Sequence, residues 1–395
     1  MSDGAPLFLS GSGRLAPAGI SPWALLVRDG RIAWVGPRSE APDTDAERVD
    51  LRSALVTPGL VDSHTHPVFA GDRADEAAAR LEGAPYTDGG ILRTVASTRR
   101  ADDATLEALV EARLRTALAA GTTTIECKSG YGLSLHEELR HLRIIRRVAE
   151  RLPLRVARTF LGAHAVPREA ASMGEYATHV AEDMIPAVAA EGLAEFVDVF
   201  CDDGFFDLAA TERVARAAQA AGLGVRLHAD QLALTGAAAL GVRLGADSVD
   251  HLEQLDAHDV GVLAASTTVA TLLPAPALVL RDRMAPARAL IGAGATVALA
   301  SDANAGTYGG FDGMPLVIGL GATLLRMTVS EALSAATSGG AAALGHENEI
   351  GALRVGLAAD LVAWNAEHEG AFALRMGSVR PHRIWIGGSE VLPKT

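Results

Sequence analysis

Cysteine is almost missing from this 395-residue chain: Cys127 and Cys201 are the only two. Two cannot build a disulfide framework, which argues against a small secreted scaffold. No window holds the roughly 18 apolar residues that a membrane-spanning helix needs. Met1 to Pro17 lacks the basic stretch and apolar run of a secretory signal, so a cytoplasmic protein is expected. Nor does any basic block oppose the net charge of −13, which makes nucleic acid and anionic membrane surfaces poor partners. A small anionic partner stays admissible if specific Arg side chains or a metal receive it. Lysine is scarce too: Lys128 and Lys394 stand alone among arginines. Coding bias accounts for that scarcity, but it singles out one internal lysine.

What is present is enough apolar residue, 49%, to bury a large core. Residues 7–56 read as short strands, with Asp29-Gly30 as the turn of a hairpin between alternating flanks. The tail reads alike: Leu361 to Trp364 and Arg383 to Ile386 are strand-like, the second closed by Gly387-Gly388. Between them lie eight apolar β runs, at 59–64, 122–128, 154–161, 196–201, 225–228, 247–251, 268–273 and 296–301, mostly separated by helical patterns. Ser134 with Glu137 predicts a capping box opening one helix, and Gly121 and Gly222 sit where helix C-caps belong. Eight β-then-α units predict an α/β fold, a (β/α)₈ TIM-like barrel at 58–345. The chain termini, 1–57 plus 346–395, are expected to form a small β-sandwich domain.

Several runs end in polar clusters, and the C-terminal ends of barrel strands are where such folds do chemistry. His64 and His66, two apart on the first strand, share a face and aim together into the barrel mouth. The fifth run ends at His228, followed by Asp230 and Gln231; the sixth carries Asp250 and His251, the eighth Ser301, Asp302 and Asn304. Converging neutral imidazoles with a carboxylate suit Zn²⁺ or Fe equally well.

This arrangement resembles the amidohydrolase superfamily, which places His-x-His on strand 1, His on strands 5 and 6 and Asp on strand 8. Binuclear members add a carbamylated lysine on strand 4; that run here, Phe196 to Asp202, has none, so the resemblance implies one metal per chain. Within the superfamily the chain is similar to the imidazolonepropionase family of histidine degradation. The motifs are Val68 to Arg73, Glu126-Cys127-Lys128-Ser129-Gly130-Tyr131-Gly132-Leu133, Leu161 to Ala165, Asp198 to Cys201, His228 to Gln231 and Asp250 to Glu253. The resemblance implies hydrolysis of the ring C–N bond of 4-imidazolone-5-propanoate to N-formimidoyl-L-glutamate, and a homodimer. Position by position, it implies His64, His66, His228 and Asp302 as metal ligands. Arg73 would meet the propanoate, with Tyr131, His164, Gln231, Asn304, Gly306 and Thr307 around the substrate.

The chemistry supports the same roles. Ring amides are poor electrophiles and water a poor nucleophile, and a bound metal corrects both. Asp302 can carry the water's proton to the leaving nitrogen, and His251 can bond the attacking water or the oxyanion. Arg73 offers a carboxylate a bidentate fork; its rival reading is an ion pair with Asp72. Tyr131 has packing as its rival, Lys128 reads as an anchor of the strand-end network, and both cysteines as buried packing. Asp202, Asp203 and Asp207 read as loop charges and caps. The chain departs from the family pattern in a short loop after Tyr86, in Ala305 where proline usually follows the Asn, and in Gln231, where some members carry Glu. Two other functions fit less of the sequence. A formimidoylglutamate deiminase or base deaminase would release ammonia, and an inactive metal-binding sensor would not turn over.

Overall fold

The computed structural model describes residues 6–83 and 88–391. The N-terminal strands β1 (Leu7–Gly11), β2 (Trp23–Arg28), β3 (Arg31–Pro37) and β4 (Glu47–Asp50) form one sheet in the order β3-β2-β1-β4. The predicted hairpin turn is there, with Asp29 and Gly30 at φ 51° and 72°. Both central residues of such a turn need positive φ to match the strand twist. β5 (Val56–Pro58) leaves this sheet for another.

The barrel strands follow: β6 (Leu60–Asp62), β7 (Thr122–Lys128), β8 (Arg155–Ala163), β9 (Phe196–Cys201), β10 (Gly224–Ala229), β11 (Ser248–His251), β12 (Val269–Leu272) and β13 (Val297–Leu299). They are parallel neighbours in chain order, as the sequence pattern predicts. The seam between first and last closes beyond the strands, where Asp302 N donates to His64 O at 3.0 Å and His66 N to Ala303 O at 2.9 Å. Asp62 adds a side-chain tie, accepting from Ser301 Oγ at 2.6 Å.

Alternation sorts each strand's residues. On β10, Leu227 faces outward with Val249 of β11, and both lie under the helix Ala237–Leu244 at Gly241. Each such buried aliphatic side chain contributes roughly 1.5–3 kcal/mol. Arg226 and His228, of opposite parity, bond to groups inside the barrel. Four helices matter below: α1 (Ala74–Leu81), α2 (Asp88–Arg100), α3 (Asp103–Ala119) and α4 (Leu135–Ala149). Gly121 and Gly222 end their helices at φ 97° and 76°. The capping box at Ser134 is only half made: Ser134 Oγ accepts from Glu137 N, while the Glu137 carboxylate goes to Arg140 Nη1 at 2.9 Å. A guanidinium one turn on is a stronger partner than the cap's own N–H.

The last strands, β14 (Leu361–Trp364), β15 (Pro381–Ile386) and β16 (Ser389–Glu390), join β5 in a sheet ordered β16-β15-β14-β5. Leu9, Trp23, Leu25 and Val27 of the first sheet share a buried cluster with Val56, Leu361, Ala363 and Trp385 of the second. On this packing we propose that 1–57 with 346–395 form one unit and 58–345 the other. Ile350 and Ala358 pack with Val61 and Phe196 of the barrel, so the two share a continuous core.

Candidate metal centre and anion pocket

At the C-terminal mouth of the barrel three imidazoles meet. His64 Nε2 lies 3.2 Å from both His66 Nε2 and His228 Nε2, and Asp302 Oδ1 lies 3.3 Å from His66 Nε2 and 3.7 Å from His64 Nε2. All four side chains are buried. The opposite nitrogens decide what this means. Asp250 Oδ2 takes the Nδ1 proton of His64 at 2.6 Å, and Asp198 that of His228 at 3.1 Å. Each Nε2 is then a bare lone pair. The facing Nε2 lone pairs of His64 and His228, 3.2 Å apart, repel unless a cation stands between them. Burial and nearby Lys128 disfavour a proton on His64, holding it well below the ordinary imidazole range, and burial lowers His66 too. Although burial opposes its ionisation, Asp302 is held below the usual carboxylate range by its bond to His66. The donor set fits a transition metal.

Behind the imidazoles the charges are paired. Asp250 also accepts from Arg226 Nη2 at 3.1 Å and from Ser248 Oγ at 2.6 Å. Arg226 in turn donates to the carbonyls of Ser63 and Ala343. Lys128 Nζ sits 2.7 Å from Asp198 and 2.6 Å from Glu126, all three fully buried. It anchors the network, as its strand-end position suggests. His251, at φ 83°, and Asp302, at φ 48°, both hold left-handed backbone. That conformation is costly outside glycine and persists where surrounding structure enforces it. Burial disfavours the His251 cation, but Glu253, 3.5 Å from Nδ1, together with Asp302 and Asp250 raises the imidazole above its ordinary range.

Facing these groups across a cavity is Arg73, buried at 3% exposure, at the start of α1. Its Nε and Nη1 find no hydrogen-bond acceptor among the described residues. Asp72 is exposed, so the ion-pair reading of Arg73 fails; its nearest carboxylate is Glu76, 3.6 Å away. Tyr131, His164, Gln231, Asn304 and Thr307 line the same cavity. His164 stacks on His66 and gives its Nδ1 proton to Gly130 O at 2.9 Å. The turn around Tyr131 is pinned by buried Glu138, which accepts from the backbone N–H groups of Gly130, Gly132 and Leu133. The Asn304 amide is spent inside its own loop, on Asp302 O, Thr307 Oγ1 and the N–H groups of Gly306 and Thr307. Gly306 lies on an adjoining open groove of ≈ 540 Å³, behind Arg73. The inner cavity is narrow, ≈ 20 Å³, about the room of one water.

Cys127 and Cys201 are buried and unbonded to each other. Asp202 does more than decorate a loop: its carboxylate accepts from the N–H groups of Gln231, Leu232 and Ala233. Asp207 caps a helix through Ala210 N. The short stretch after Tyr86 falls largely outside the described residues. Sequence reasoning assigned no role to Asp198, Asp250, Arg226 or Glu126. Their signal was nevertheless visible: charged residues inside otherwise apolar strands are rarely buried unless paired.

The chain belongs to the amidohydrolase family, whose model matches residues 55–391. Solved structures share the fold at low identity. A Klebsiella pneumoniae 5-methylcytosine deaminase superposes with a TM-score of 0.78 at 14% identity, covering 98% of each chain. A Xanthomonas campestris adenosine deaminase with bound zinc gives 0.73 at 21%, covering 97% of this chain and 92% of that one. Much nearer in sequence are proteins named imidazolonepropionase. That of Rhizorhabdus wittichii is 45% identical over 91% of this chain and 92% of its own. The Caulobacter vibrioides protein is 46% identical over 91% of each, and that of Pseudomonas putida 42% over 93% and 94%. Among the described residues, no helix is long and apolar enough to cross a membrane.

Proposed function

We propose that this protein is a metal-dependent hydrolase that opens 4-imidazolone-5-propanoate to N-formimidoyl-L-glutamate. The observation that carries the reading is a cation site and an anion anchor facing one another. The imidazoles of His64, His66 and His228 converge with Asp302, opposite the Arg73 guanidinium, whose Nε and Nη1 find no hydrogen-bond acceptor among the described residues. These four residues would hold one Zn or Fe ion, which when bound supplies Lewis acidity that activates water and polarises the ring carbonyl. A single ion follows from the neighbouring acids: Asp198 and Asp250 are already neutralised by Lys128 and Arg226.

Arg73 receives the propanoate in its fork and so fixes which ring atom faces the imidazoles. Tyr131, His164 and Gln231 flank the ring; Gln231 cannot act as base because its amide does not titrate near neutrality. Asp302 takes the proton of the attacking water and hands it to the ring nitrogen as the C–N bond breaks. His251, kept proton-rich by Glu253, donates to the oxyanion that develops on the carbonyl. Asn304 and Thr307 shape the wall beside Arg73. The test is incubation of metal-loaded protein with freshly generated imidazolone propanoate. Loss of the ring chromophore without ammonia supports the reading, ammonia release replaces it with a deaminase, and no turnover refutes it.

A further inference from the structure

On the anion side one carboxylate stands close to Arg73 without bonding it. Glu76 Oε2 is 3.6 Å from Arg73 Nε, although that N–H is buried and lacks an acceptor. A buried guanidinium beside a half-buried carboxylate normally closes such a gap, because a charge-assisted bond there is roughly twice as strong as a neutral one. Something restrains Glu76. Its other oxygen accepts from Arg80 Nη1 at 2.7 Å, one helical turn on. Glu before Arg at that spacing is the favoured order on a helix. The second arm of Arg80, Nη2, donates to Gly306 O at 2.5 Å. Gly306 and Gly90 meanwhile grip the Arg73 guanidinium. A Cβ on Gly306 would come within 1.3 Å of Nη2, and one on Gly90 within 2.5 Å of Nη1. The Arg73 guanidinium is thus seated against two backbones, and on the Glu76 side of the gap Arg80 holds the carboxylate.

We propose that Arg80 is a positioning residue that keeps the anion anchor open by engaging Glu76, leaving the Arg73 fork for the substrate's carboxylate. The inference rests on Arg73 being that anchor. A carboxylate tethered three residues away competes at an effective concentration in the millimolar range or above, while substrates bind with KM of about 1 μM to 1 mM. Released from Arg80, Glu76 would compete with the substrate's carboxylate for the fork. Arg80→Ala should then raise KM by roughly tenfold or more with kcat within about threefold of the parent. Adding Glu76→Ala should bring KM back to within about threefold, since the competitor is gone.

The experiment measures kcat and KM for the parent, Arg80→Ala and Arg80→Ala/Glu76→Ala. The same proteins are titrated calorimetrically with imidazole propanoate, which carries the carboxylate but no scissile amide, and their metal content is read alongside. The proposal expects binding of that probe to weaken in Arg80→Ala and recover in the double variant at constant metal content. Unchanged KM and probe affinity in Arg80→Ala overturn it. So does a double variant as weak as the single, which would mean that Arg80 acts by its own charge or by holding the Gly306 loop. Should Arg80→Ala fail to fold, Arg80→Gln carries the same comparison. Arg73→Ala separates the two layers. If it hurts the substrate no more than an analogue lacking the carboxylate, the anchor reading falls; if it behaves as an anchor while Arg80→Ala is silent, only the role of Arg80 falls.

Discussion

The two walls of the site are built on opposite plans. On the wall of the candidate metal site the side chains sit at strand ends, and two of the three converging imidazoles have their outer nitrogen bonded to a buried acid. Those acids are themselves tied to Lys128 and Arg226. What is left unsatisfied points inward, as lone pairs. On the anion wall, Arg73 stands on a loop before α1, a helix with no fully buried residue. Here the unsatisfied groups are N–H donors. Strand ends hold the converging groups on rigid elements, while the Arg73 side rests on a helix with little buried surface. In both walls the ligand's chemistry is written in what the protein leaves unpaired.

The largest expected effect strikes where the walls meet. Asp302→Asn should lower kcat by about 10³, since it removes the proton carrier; most of the rate surviving with metal bound would take that role from Asp302. Next, Arg73→Ala should lower kcat/KM by on the order of 10² or more at normal metal content, because one partner of a buried ion pair is lost. An analogue without the carboxylate should show no such loss, and equal losses on both would make Arg73 a prop of its loop. On the metal wall, Lys128→Met should cost about 3–5 kcal/mol of stability by stranding Asp198 and Glu126. Thermal melts of the metal-stripped protein read this directly, and an unchanged midpoint would mean the network is not under load.

The smallest effect sharpens the comparison by removing a confounder. His141, on α4, is fully buried with neither ring nitrogen hydrogen-bonded among the described residues, and burial pushes it down to about 4. Its folded-state affinity for protons is thus below that of the unfolded chain, near 6.5. Its contribution is intact above that value and is lost as pH falls from about 6.5 to about 4, where the unfolded chain binds the extra proton. The loss is up to about 3 kcal/mol. His141→Leu should flatten the acid limb of stability while leaving the acid limb of kcat. A parallel change in both would mean that acid inactivation is unfolding and not chemistry.

The sequence made the barrel legible because its strands are apolar runs closed by polar clusters, and the parity of His64 and His66 placed both on one face. That His228 and Asp302 converge with His64 and His66 could be read from their strand ends. Their supports could not. Asp250 bonds His64 across 186 positions, and only the parallel register, which sets His228 beside Asp250 and Ala229 beside His251, determines which acid reaches which ring. The Arg80 contacts were hidden for the same reason: Glu76 is a helical neighbour, but Gly306 lies 226 positions away. At Ser134 local reasoning overshot, because it could not weigh Arg140 against the cap.

The most direct test of the account is metal titration of stripped protein with imidazolone propanoate as substrate. Turnover should vanish on stripping and return in proportion to added Zn or Fe, saturating at one equivalent per chain. Turnover that survives complete removal of metal, or that requires two equivalents, would contradict it.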